Sequence, residues 1–89
     1  MEEIDDKTIQ ILKALGHSER IKLLFLLKSG NKTLDELNKA LGTRGFHLFA
    51  NLNALTAANL VHRIKVRTPT WEITGLGTKA IEIYRYAKQ

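Results

Sequence analysis

The stretch from Thr33 to Val61, TLDELNKALGTRGFHLFANLNALTAANLV, leaves room for little besides two helices joined by a tight turn. Thr33 and Glu36 form a capping box: the threonine oxygen takes the amide of the third helical residue, and the glutamate reaches back to the threonine amide. That predicts a helix start at Thr33. Leu34, Leu37 and Leu41 then recur at helical spacing, and Gly42 follows where a positive φ can close the helix. Thr43 can cap a second helix, whose Leu48, Leu52 and Leu55 make one apolar stripe before Asn59 offers a left-handed stop. Two helices so linked read as a helix-turn-helix.

Charge gives this pair a direction. No acidic residue occurs from Leu37 to Trp71, whereas Lys39, Arg44, Arg63, Lys65 and Arg67 are basic and His47 and His62 can join them. A surface of one sign suits a polyanion, because neutralised phosphates release condensed counterions and so give affinity. A helix-turn-helix then presents its second helix to the major groove of double-stranded DNA.

The 89 residues predict one domain spanning 1–89, with a net charge of +5. The basic excess is larger over most of the chain, since Glu2, Glu3, Asp5 and Asp6 hold four of the nine carboxylates. Absence of cysteine excludes disulfides, thiolate metal sites and cysteine nucleophiles. The longest apolar run, Leu23 to Leu27, is too short to span a bilayer, and the acidic start does not suit a secretory signal. The expectation is a cytoplasmic protein with no membrane partner.

Ile4 to Leu15 carries Ile4, Thr8, Ile11, Leu12 and Leu15 at helical spacing, with carboxylates at the end favoured by the helix dipole. Ser18 to Ser29 includes five consecutive apolar residues, so more than one face of this second helix must be covered. Past the paired helices, residues 61–74 read as a hairpin. His62, Ile64 and Val66 alternate with Arg63, Lys65 and Arg67, a period of two with one basic face. A turn centred on Pro69 and Thr70 sets Arg67 opposite Glu72 and Val66 opposite Ile73. Such a hairpin is a wing, and its three cations suit phosphate contacts, which position a protein without specifying sequence. Gly75 and Gly77 are expected to break the strand. Leu76, Ala80, Ile83, Tyr84 and Ala87 then mark a last helix over 76–88, with Ile81 and Tyr86 off its stripe. Apolar residues on more than one side suggest a homodimer interface shared by the first and last helices; packing onto the chain's own core is the alternative.

The predicted fold is mostly α with a small β-hairpin, a winged helix-turn-helix with four helices, two strands and a fifth helix. Its helix-turn-helix covers 33–58. ALGHSERIKLLFLL resembles the opening of ArsR-type winged-helix repressors, TLDELNKALG with ALTAANLV resembles their helix-turn-helix, and WEITGLGTKAI is similar to the end of the wing in ArsR-type and MarR-type regulators. The resemblance implies a homodimeric transcriptional regulator that places helix 44–57 of each subunit in the major groove. It further implies Arg44, Gly45, Phe46, His47, Phe49, Ala50 and Asn53 as the residues meeting DNA. Here the chain departs from the family, which usually carries polar side chains where Phe46, Phe49 and Ala50 stand. Phe46 could touch thymine methyl groups, pack on a partner protein or lie in a dimer contact, and Phe49 could belong to the edge of the core.

Two other readings stay open: an architectural DNA-binding protein with little sequence preference, and a protein-interaction module that grips with Phe46 and Phe49. Many ArsR-type regulators sense metals, but His17, His47 and His62 lie on separate predicted elements with no paired ligand close in sequence, and no metal or cofactor is expected. No phosphate-binding glycine loop or nucleophile elbow is present, so the chain is not expected to be an enzyme.

Overall fold

The computed structural model describes residues 6–42, 45–64 and 67–88. Among these residues are five helices, α1 (Asp6–Ala14), α2 (Ser18–Lys28), α3 (Leu34–Leu41), α4 (Gly45–Ala57) and α5 (Gly75–Lys88), and a small sheet of β1 (Lys32–Thr33), β2 (Val61–Ile64) and β3 (Thr70–Ile73). The sheet is antiparallel, in the order β1-β3-β2. The winged helix-turn-helix architecture is that expected, with one strand more: the polar turn ahead of α3 ends in β1, whose two residues pair with Trp71 and Thr70.

Local chemistry accounts for the element ends. The amide of Glu36 donates to Thr33 Oγ1 at 3.2 Å and the amide of Thr33 donates to Glu36 Oε1 at 2.9 Å, completing the capping box. Gly42 closes α3 at φ +63°, its amide donating to Asn38 O. At the end of α4, Asn59 takes φ +62°. Its amide donates to Thr56 O and that of Leu60 to Leu55 O, the paired bonds of a Schellman motif. Leu55 and Leu60, the residues such a motif brings together, are both fully buried.

Helix α2 is the middle of the core. Leu23, Leu24 and Leu27 are buried, and Phe25 and Leu26 on its other side are half-buried, so the unbroken apolar run does supply more than one face. Leu37 of α3, the Leu48, Leu52 and Leu55 stripe of α4, Trp71 of β3, and Ala80 and Ile81 of α5 complete the cluster.

Three expectations need correction. Glu72 faces His62, not Arg67, and Ile73 faces Val61, not Val66. The reason lies at the start of β2: Leu60 and Val61 are drawn into the core directly after α4, so pairing begins five residues earlier and the connection from Ile64 to Thr70 is long, not a tight turn. Second, Ile81 is in the core whereas Ile83 is two-thirds exposed, so the buried stripe of α5 is turned from the one assigned. Third, the strand ends ahead of Gly75 as expected, but α5 begins at Gly75 and not at Leu76, with both glycines in its first turn. Thr74 begins that helix, its Oγ1 accepting from the Gly77 amide at 3.0 Å while donating to Asn59 O at 2.7 Å.

Gly77 is required by proximity. A Cβ there would lie 2.1 Å from the Leu60 carbonyl oxygen, a backbone atom held by the corner between α4 and β2. A Cβ on Gly75 would meet open space. Replacing Gly77 by alanine should therefore destabilise the domain by at least about 2 kcal/mol, as forced overpacking does. Gly75→Ala should be neutral or stabilising by up to about 1 kcal/mol. Urea unfolding of the two variants measures the difference.

Candidate nucleic-acid interface

Helix α4 is amphipathic in a plain way. Leu48, Leu52 and Leu55 are buried, and His47, Ala50, Asn53 and Ala57 on the opposite side are exposed. Its middle is held by a polar clamp. Asn51 Oδ1 accepts from Arg20 Nε at 3.1 Å, and Asn51 Nδ2 donates to Glu19 Oε2 at 2.9 Å. Arg20 also donates through Nη1 to Lys13 O at 3.3 Å. One amide thus binds two opposite charges on the first turn of α2, and the arginine ties that turn to the end of α1. Hydrogen bonds to ionised groups are the stronger kind, so α4 is fixed against sliding along its leucines. Thr56, although on the exposed side, returns its hydroxyl to Leu52 O at 2.7 Å and offers the surface little.

The wing meets α4 through Trp71, which is buried. Phe49 packs edge-on against its ring with centroids 6.3 Å apart, and the Arg63 guanidinium lies 5.7 Å from the same ring. Phe49 is nonetheless 44% exposed, so it is both an edge of the core and part of the surface. The cation–π contact positions Arg63 beside the exposed side of α4 while its charge stays in water.

This arrangement corrects the basic face read along residues 63 to 67. Arg63 shares its face of the sheet with Val61 and Trp71, the face that turns towards the core and α4. Regular pairing ends at Ile64, and Arg67 is an exposed residue of the connection, not of the strand. Arg44 and Lys65, together with Thr43 and Val66, lie outside the described residues, as does the side chain of Phe46. Gly45 is the first residue of α4.

The wing has one acid, and it is engaged. Glu72 Oε1 is 2.6 Å from His62 Nε2, and Glu72 Oε2 accepts from Asn31 Nδ2 at 3.3 Å. These bonds link β3 to β2 and to the residue ahead of β1, and hold the Glu72 carboxyl below its ordinary value, His62 being the larger cause and Asn31 the next. Glu72 alternates with Trp71 along β3, so it faces away from Arg63. Among the described residues, the exposed side of α4 and its Arg63 flank carry no carboxylate. Nor do any three His, Asp or Glu side chains among them come close enough to share a metal ion.

No family model matches the sequence, and no curated protein matches it. Solved structures do. HlyU from Vibrio cholerae N16961 is similar at 27% identity over the whole of both chains, with a TM-score of 0.81. The Mb0332 domain from Mycobacterium bovis, described as a homodimeric winged helix-turn-helix DNA-binding domain of a possible ArsR-family regulator, superposes with a TM-score of 0.83 at 22% identity over 99% of this chain and 90% of that one. The chain has the fold of the ArsR-type winged-helix regulators. A further neighbour is the transcriptional regulator HlyU from Vibrio vulnificus CMCP6, at 22% identity over 91% of this chain and 86% of that one, with a TM-score of 0.76.

Set in this winged helix, the residues that sequence reasoning passed over are Arg20, Glu19 and Asn51, which orient α4, and Trp71, which brings Arg63 and Phe49 together. Nothing local marks the clamp, because Arg20 and Asn51 are 31 residues apart. Glu72 supplies a check on the wing. A carboxyl held low in the fold stabilises it above the unfolded value near 4.5, and the contribution is lost as the pH falls through the lowered value. Glu72→Gln should therefore flatten the fall in stability on acidification below about pH 5 without abolishing it, because Glu36 is held low as well, chiefly by the Thr33 amide. Thermal melts of both proteins over that range measure it.

Proposed function

We propose that this winged helix binds double-stranded DNA as a homodimer and regulates transcription in the cytoplasm. The reading rests chiefly on the carboxylate-free exposed side of α4, held in place by the Arg20–Asn51 clamp and flanked by Arg63 on its tryptophan. The similarity to HlyU over the full chain supports it. In this account α4 enters the major groove with Arg44, Gly45, Phe46, His47, Phe49, Ala50 and Asn53 towards the bases, while Arg63, Lys65 and Arg67 contact phosphates.

Dimerisation is assigned to α1 and α5. Leu12 is 58% and Ile83 66% exposed, and both line an apolar hollow of about 220 Å³ between the two helices. Ile9 of α1 and Tyr86 of α5 are exposed as well. Two copies joined there present two α4 helices to successive grooves. Among the described residues, no helix is long and apolar enough to cross a membrane.

One observation favours a second reading. Among the described exposed positions of α4, His47 and Asn53 are the polar ones besides the internally bonded Thr56, few for reading bases. An architectural protein needs no more. A regulator should prefer one operator selected from random duplexes over competitor DNA by about 10³-fold or more, and an architectural protein should show almost no preference.

Replacing Arg63, Lys65 and Arg67 together by alanine should weaken binding to all sequences alike. In fluorescence anisotropy the dependence of log affinity on log salt should become shallower by about 2 to 3 per subunit. An unchanged slope contradicts the wing assignment. Leu12→Lys with Ile83→Lys should give a monomer in sedimentation that still shows the helical spectrum of the parent protein and binds an operator far more weakly.

A further inference from the structure

One hollow lies between the start of α2 and α5 and shares Leu15 with the face assigned to dimerisation. It has a volume of about 410 Å³, within the range of small-molecule sites. Leu15, Ile21, Phe25 and Tyr84 form its apolar lining, and Ser18 and Lys22 bring a hydroxyl and an ammonium to it. The aromatic pair is ordered: the rings of Phe25 and Tyr84 meet edge to face at 5.8 Å, and the Arg85 guanidinium lies 5.3 Å from the Phe25 centroid. A second hollow of about 380 Å³ shares Lys22 and Phe25 and continues along α2 to Leu41.

The charge at this place has one sign. No lining residue of either hollow is acidic. Glu19, the nearest carboxylate in sequence, is bonded to Asn51. A flat apolar body fits against Phe25 and Tyr84, and an anionic end is what Lys22 calls for; no lining carboxylate is there to pair with a cation.

We propose that the hollow between the start of α2 and α5 binds an aromatic carboxylate, and that the ligand acts on α4 through the first turn of α2. The lining residues Ser18, Ile21 and Lys22 surround Glu19 and Arg20, the two residues that hold Asn51, and Ser18 also borders the polar cleft in which Asn51 lies. A ligand drawn onto Lys22 shifts that turn, and the turn carries the clamp. The site stands without the DNA-binding reading, and the test is made on DNA-free protein.

Amide NMR spectra of the full chain are recorded during titration with naphthoate and, separately, with the neutral naphthylmethanol of nearly the same shape. Saturable shifts are expected at Leu15, Ser18, Lys22, Phe25 and Tyr84 and in the side-chain amide of Asn51, with the alcohol binding about tenfold more weakly for want of the ion pair. Lys22→Gln should abolish the preference for the acid and Lys22→Arg should keep it. No saturable shift at millimolar ligand, shifts centred elsewhere, equal binding of the alcohol, or a preference that survives in Lys22→Gln overturns the site. A motionless Asn51 signal in a saturated protein overturns its linkage to α4.

Discussion

The structure depends on how one helix is seated. Leu48, Leu52 and Leu55 sink one side of α4 into a cluster built on α2, and burial of three leucines leaves that helix a single rotational setting. Everything outward follows. With the leucines inside, Ala50, Asn53 and Ala57 must face water, and Phe49 falls on the boundary. The Arg20–Asn51 clamp then fixes position along the axis, which apolar contacts alone specify weakly. A surface meant to meet a rigid partner needs both restraints.

Trp71 does for the wing what the leucines do for α4. A buried indole on a short strand gives a three-stranded sheet, which has little core of its own, an anchor in the domain, and Phe49 and Arg63 both pack against its ring. The wing and the helix are therefore one surface with a shared aromatic at the joint. The same corner binds the end of α4 to the start of α5, through Thr74 and the bare Cα of Gly77 against Leu60. Helix α5 in turn packs Ile81 into the core and leaves Ile83 and Tyr86 outside.

Much of this was legible because it is local. The capping box at Thr33, the left-handed Gly42 and Asn59, and the leucine stripe of α4 each depend on residues within a few positions of one another. What escaped reading depends on distant pairs. The hairpin register looked settled by matching Arg67 to Glu72, yet burial of Leu60 and Val61 outweighs one exposed ion pair, and His62 takes the carboxylate instead. Strand β1 is two residues long and exists only because β3 is beside it. For Gly77 the pattern carried a signal, a glycine where a helix former would serve, but not its cause, which is a carbonyl 17 residues earlier. As for the site, the exposure of Ala50 and Asn53 could be projected from helical period, whereas the clamp and the Trp71 joint could not.

The central claim is that the exposed side of α4 and the adjacent wing form the surface that meets a duplex. Amide shifts on adding a mixed-sequence DNA duplex in dilute buffer test it most directly. The account predicts perturbations concentrated at His47, Phe49, Ala50, Asn53, Arg63 and Arg67, with the α1 and α5 surfaces little changed. Perturbations centred on α1, α5 or the outer side of α2, or none at saturating duplex, would contradict it.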